Sequence, residues 1–190
     1  LAYLANGATL LLTGLLGRLR GAAGVNPVES IGLYPLPLQL LLAGLIAPAA
    51  EELLFRRLLL RRLRPYGERF ALVASALCFG LFHGNLNQFF YAFLLGLVLA
   101  ELALSTGCLW QAVLLHALVN LFSILWGWLG GPVVVTGVLM LAGAMVPFRL
   151  IPALLARPDA ERGTWRRFLT SPGVLCFGAL SLSLALSYLI

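Results

Sequence analysis

The chain has 190 residues, 61% of them hydrophobic and 11% charged, with a mean hydropathy of +0.98. A soluble domain carries about 45–50% apolar and about 25% charged residues, so this composition excludes a soluble enzyme, a disordered tail and a soluble nucleic-acid binder. Thirteen basic residues, every one an arginine, stand against seven acids for a net charge of +6, and they cluster between apolar segments in the positive-inside pattern of a membrane protein.

A bilayer span takes about 20 mostly apolar residues. Apolar segments at about 1–17, 38–56, 70–86, 88–104, 109–129, 133–151 and 171–190 therefore predict an all-α, polytopic transmembrane helix bundle of about six to seven spans. The length leaves room for one integral membrane domain, 1–190. The chain starts at Leu1 rather than Met and reads as trimmed or as a domain excerpt. Residues 1–17 lack a charged start and read as a span, not a signal peptide. Breaks follow at Gly21, Gly24, Asn26 and Pro27, and Tyr34-Pro35-Leu36-Pro37 delays the second helix. Pro65 and Gly67 end it after an arginine-rich turn, Gly130-Gly131-Pro132 separates the fifth and sixth segments, and Pro152 and Pro172 bound the last polar stretch around Pro158. With seven crossings, ten arginines between Arg57 and Arg167 fall on one side and Arg18 and Arg20 on the other, which puts the larger group and the N-terminus in the cytoplasm. Cys78, Cys108 and Cys176 are odd in number and without CxxC spacing, so neither a disulfide framework nor a metal knuckle is indicated.

Ionisable groups inside spans are costly and mark function. The deep candidates are Glu51, Glu52, Arg56, His83 and His116, joined by the amide of Asn120. Glu52 and Arg56, four apart with the acid first, suit an ion pair. Glu51 points about 100° away and is left without a helical partner, as a candidate base or acid. A structural ion cluster of both glutamates with Arg56 is the alternative. His83 shares a face with Phe79, and Gly80 and Gly84 allow close approach of another helix. His116 and Asn120, four apart, can donate to one point, or else form an interhelical hydrogen-bond pair. With helix ends taken at Arg64, Phe70 and Gly107, Glu51, His83 and Asn120 each lie thirteen residues in, about 20 Å along their helices. Four polar groups from three helices then meet at similar depth.

Glu51-Glu52-Leu53-Leu54-Phe55-Arg56 reads EExxxR, Phe79 to His83 reads FxxxH, and His116 to Asn120 reads HxxxN. In this order, on apolar segments, they resemble the CAAX protease and bacteriocin-processing (CPBP, or Abi) family of intramembrane proteases, over about residues 38–125. Thr106-Gly107-Cys108-Leu109-Trp110 resembles the family's TG-x-LW turn, with Gln111 where many members carry Pro. The resemblance implies a glutamate-type endopeptidase in which Glu51, with His83, activates a water, His116 and Asn120 hold the developing oxyanion, and Glu52 and Arg56 maintain the geometry. It implies no cofactor. Zinc on two histidines and a glutamate is the rival, although HExxH is lacking and zinc would not need Asn120. A non-catalytic scaffold or immunity protein of the same fold and a small transporter are the other functional readings. The expected partners are membrane lipid and a membrane-associated peptide or protein, with no nucleic acid. All-arginine usage suggests a GC-rich bacterial genome, hence the inner membrane.

Overall fold

A 31-residue helix, α1 (Leu36–Tyr66), dominates the fold. It begins directly at Leu36, with Pro37 in its first turn, where a missing N–H costs nothing. The computed structural model describes residues 31–131 and 145–188, with isolated positions 7, 11, 14, 15, 136, 142 and 143. Apart from those isolated positions, the predicted span 1–17, the breaks from Gly21 to Pro27, Arg18, Arg20, Pro132 and the part of segment 133–151 before residue 145 lie outside the described residues.

Among the described residues six further helices follow: α2 (Glu68–Phe82), α3 (Leu86–Thr106), α4 (Leu109–Trp128), α5 (Val146–Ala156), α6 (Thr164–Leu169) and α7 (Pro172–Ser187). The described residues form an all-α membrane helix bundle. Three of the helices, α1, α3 and α4, are long and apolar enough to cross a bilayer, and α5 and α7 are shorter apolar helices. The chain is an integral membrane protein.

The apolar segment at 38–56 continues through the arginines to Tyr66, as the helix end taken at Arg64 and the break at Pro65 and Gly67 anticipate; Gly67 takes φ 126° and ends the helix. Two boundaries differ from those expected of the sequence. The segment predicted at 70–86 stops at Phe82, because Gly84 adopts φ 60° and Asn85 caps the next helix by accepting the Gln88 N–H at 2.9 Å. Gly84 therefore lies in a turn rather than on a helix face. It still marks a close approach, since a Cβ there would lie 3.2 Å from Leu184 of α7. Pro152 sits inside α5, which runs on to Ala156 and ends before Arg157-Pro158; apolar neighbours carry the helix past the proline, and the residue before a proline disfavours helix.

Close packing of α2 on α3 rests on small residues. A Cβ on Gly96 would stand 3.1 Å from the Ala76 Cα and 3.1 Å from the Phe79 ring, and one on Gly80 would stand 3.0 Å from the Phe89 carbonyl oxygen. Ala71, Leu72, Ala76, Leu97 and Ala100 form a buried core with Leu60 of α1. The Ser75 hydroxyl, fully buried, donates to the Phe55 carbonyl at 3.0 Å and ties α2 to α1.

Polar contacts gather the arginine-rich connectors at one end. Arg157 donates through Nε and Nη2 to both carboxylate oxygens of Glu101 at 2.7 Å, through Nη1 to Glu68 at 2.8 Å, and through Nη2 to Ser105 at 2.9 Å. Arg69 donates to Asp159 at 2.7 Å, and its N–H donates to the Pro158 carbonyl at 2.9 Å. The Ala160 N–H, together with Arg69, holds the Asp159 carboxyl below its ordinary value. This contribution to stability is present above the ordinary aspartate range and is lost as pH falls through the lowered folded value.

Arg157→Gln is expected to cost about 2 kcal/mol by leaving Glu101 with only the Ser105 hydroxyl and Glu68 with only Arg64, read as a lowered midpoint in thermal unfolding of the detergent-solubilised protein. Gly96→Leu is expected to cost about 1–3 kcal/mol by overpacking the α2–α3 contact, with Gly173→Leu, an open position, as the comparison.

Candidate active site

The site is organised around the two adjacent glutamates of α1. Glu52 is fully buried. Its Oε1 lies 3.0 Å from His116 Nδ1 on α4, and its Oε2 lies 3.0 Å from Arg56 Nε one turn along α1. A carboxylate only accepts, so the His116 proton facing it sits on Nδ1. The other ring nitrogen, Nε2, lies 3.8 Å from Oε2 of Glu51. His116 thus has a carboxylate at each nitrogen, one within hydrogen-bond distance and one beyond it.

Arg56 is held by charge and by rings rather than by hydrogen bonds. Its approach to Glu52 is close but not along a hydrogen-bonding direction, and none of its three guanidinium nitrogens makes a hydrogen bond among the described residues. The guanidinium carbon lies 4.8 Å from the Phe79 ring centroid and 6.0 Å from that of Phe55. A desolvated cation over an aromatic face gains about 2 kcal/mol.

Phe79 links the three helices. It meets His83 edge-on with centroids 5.0 Å apart, His116 at 5.6 Å and Phe55 at 5.2 Å. His83 itself lies just past the end of α2, half-buried, and its Nδ1 is 2.9 Å from the Phe79 carbonyl. A carbonyl accepts, so Nδ1 carries the proton and the neutral ring presents an unprotonated Nε2.

Asn120 has a task that the sequence did not signal. α1 contains a π-helical stretch, Leu42–Ile46, in which the Ala47 N–H reaches back to the Leu42 carbonyl. The next bond in that register would join the Ala43 carbonyl to residue 48, which is Pro48 and has no N–H. The orphaned Ala43 carbonyl accepts instead from Asn120 Nδ2 at 2.9 Å. Gly44, beside it, lets α4 come close, since a Cβ there would run into the end of the Leu121 side chain.

The structure therefore brings Glu51, Glu52, Arg56 and His116 into one cluster and places His83 beside it through Phe79. Asn120 is anchored one turn from His116 with its second amide hydrogen uncommitted. The predicted Glu52–Arg56 pair is present; the Glu52–His116 contact was not foreseen, because it depends on how α1 and α4 pack. Among the described residues, no three His, Cys, Asp or Glu side chains form a set that could hold a metal ion.

Residues 34–122 match the family described as type II CAAX prenyl endopeptidase Rce1-like. The matched segment contains all six of these side chains. Over these residues, just under half of the chain, it is similar to the CAAX protease family. No curated protein and no solved structure matches the chain. The match makes the α1–α4 assembly similar to that of CAAX-type intramembrane proteases.

The unequal surroundings of the two glutamates give them separable behaviour. Glu52→Ala, which strands buried Arg56, is expected to cost about 3–5 kcal/mol. Glu51→Gln, at a side chain 19% exposed and lacking a hydrogen bond among the described residues, is expected to change stability by less than about 1 kcal/mol. Denaturant unfolding in detergent measures both.

Proposed function

We propose that this chain is an intramembrane, glutamate-dependent endopeptidase that cleaves a membrane-associated peptide or C-terminal segment using a water activated by Glu51 with His83. The observation that carries this reading is the division between the glutamates. Glu52 is fully committed to Arg56 and His116, whereas Glu51 is partly accessible and stands 3.8 Å from His116 without a hydrogen bond. A carboxylate held in place but not consumed by a partner is what a general base requires.

In the proposed reaction Glu51 takes a proton from water as the hydroxide oxygen adds to the scissile carbonyl carbon. His83 Nε2, free because Nδ1 is committed to the Phe79 carbonyl, accepts a hydrogen bond from the same water. The second Asn120 amide hydrogen, and Nε2–H of His116 when that ring is doubly protonated between its two carboxylates, serve the developing oxyanion, each such donor contributing about 2.7–4 kcal/mol. Glu51 then returns its proton to the leaving nitrogen as the C–N bond breaks. Glu52 and Arg56 act as positioning residues, and no metal or other cofactor takes part. The arginine bias extends the proposal to a bacterial inner membrane, where a prenylated substrate is less expected, with membrane lipid and a peptide or protein substrate as its partners and no nucleic acid.

Co-expression with a candidate membrane peptide and mass spectrometry of the products tests this reading. Glu51→Gln and His83→Ala are expected to lower cleavage at least 10³-fold, and Asn120→Ala by about 10²–10³-fold, with a chelator leaving the wild type unaffected. Equal cleavage by wild type, Glu51→Gln and His83→Ala would sink the mechanism. Inhibition by chelator, reversed by added zinc, would move the water onto a metal.

A further inference from the structure

Away from the paired glutamates, a cavity of about 160 Å³ opens between the arginine-bearing end of α1 and the α3–α4 turn. Its volume is close to the roughly 150 Å³ that accommodates a benzene-sized group. Four arginines line it, Arg56, Arg57, Arg61 and Arg64, facing Gly107 and Leu109, and no acidic side chain does. Arg57, Arg61 and Arg64 recur at i, i+4 and i+7 on one face, where like charges repel. Arg64 is joined to Glu68 at 2.7 Å, but Arg57 and Arg61 have no ion-pair partner among the described residues. Buried Arg56 borders the same cavity with its guanidinium nitrogens lacking hydrogen bonds. α4 starts here as well, and its N-cap Cys108 supplies no side-chain hydrogen bond, so the positive end of a 20-residue helix adds to the field.

The neighbouring aromatics set the level of this cavity in the bilayer. Tyr66 at the end of α1 and Trp110 at the start of α4 are 60% and 62% exposed. Exposed Tyr and Trp beside arginines mark the membrane–water interface, where phospholipid phosphates lie. Leu58, 57% exposed one residue beyond Arg57, offers apolar surface for the attached glycerol and acyl chains.

We propose that this cavity binds the phosphate group of an anionic phospholipid, held by Arg57 and Arg61 with Arg56 at its inner end. The site shares Arg56 with the glutamate cluster, so within the cavity its test varies only Arg57 and Arg61 and reads lipid retention rather than cleavage. Native mass spectrometry of the full chain in neutral detergent, titrated with phosphatidylglycerol, tests it. Wild type is expected to retain one phosphatidylglycerol at least tenfold more tightly than the Arg57→Gln/Arg61→Gln double variant. An Arg162→Gln/Arg166→Gln variant, with the same charge change outside the cavity, is expected to match wild type. Arg57→Lys/Arg61→Lys, which keeps charge but loses the planar fork, is expected to fall between. Inorganic phosphate at millimolar concentration is expected not to displace the lipid. Equal losses in the cavity and control variants would overturn the proposal in favour of diffuse surface charge. Displacement by inorganic phosphate alone would overturn it in favour of a free-phosphate site. Displacement by a peptide with a free C-terminal carboxylate, but not by lipid, would make the cavity part of a substrate path.

Discussion

One buried carboxylate sets the relation of α1 to α4. Glu52 has no access to solvent, and an ionised group in that position is tolerated only when its charge is met. Arg56 meets it from the same helix and His116 from α4. Any rotation or slide between the two helices would leave a charge stranded at the centre of the bundle. Phe79 of α2 then covers the cluster, its ring shared by Arg56, His83 and His116. The constraint on Glu52 also defines Glu51: the next position on a helix is turned about 100°, so it borders the cluster without being absorbed by it.

A second constraint is written into the α1 backbone. Pro48 removes an N–H just where the π-helical stretch would use it, and the bare Ala43 carbonyl must find a donor elsewhere. Asn120 supplies it across the α1–α4 contact. The HxxxN spacing thus has a structural meaning beside any chemical one: His116 reaches a side chain of α1, and Asn120, one turn on, reaches its main chain. Two polar contacts a turn apart fix both the spacing and the rotation of α4, and Gly44 removes the bulk that would hold the helices apart.

Much of this was legible in the residues themselves. Composition and apolar segments foretold a membrane bundle, the i, i+4 spacing foretold the Glu52–Arg56 pair, and three short motifs in order pointed to the family whose match covers residues 34–122. Helix ends were less legible where apolar character runs on across a turn, as from Phe82 past Gly84 into Leu86, or through Pro152 in α5. What one-dimensional spacing could not convey was the pairing between distant elements. Glu52 with His116 and Ala43 with Asn120 are contacts between helices far apart in sequence. Arg157 was read as one of many interfacial arginines, yet it binds Glu68, Glu101 and Ser105 together. Hydropathy ranks an arginine by its charge and is blind to which carboxylates the fold brings to it.

The length of α1 has a consequence for the surrounding lipid. Its 31 residues extend about 46 Å at about 1.5 Å per residue, against a hydrocarbon thickness of about 30 Å. Hydrophobic mismatch of this size is accommodated by tilt or by carrying one end out among the headgroups, and the arginines of its last third make that the emergent end. Glu51 and Glu52 fall at the middle of the same rod. Bilayer thickness and helix tilt, rather than the local packing alone, thereby set how far beneath the headgroups the glutamate pair rides.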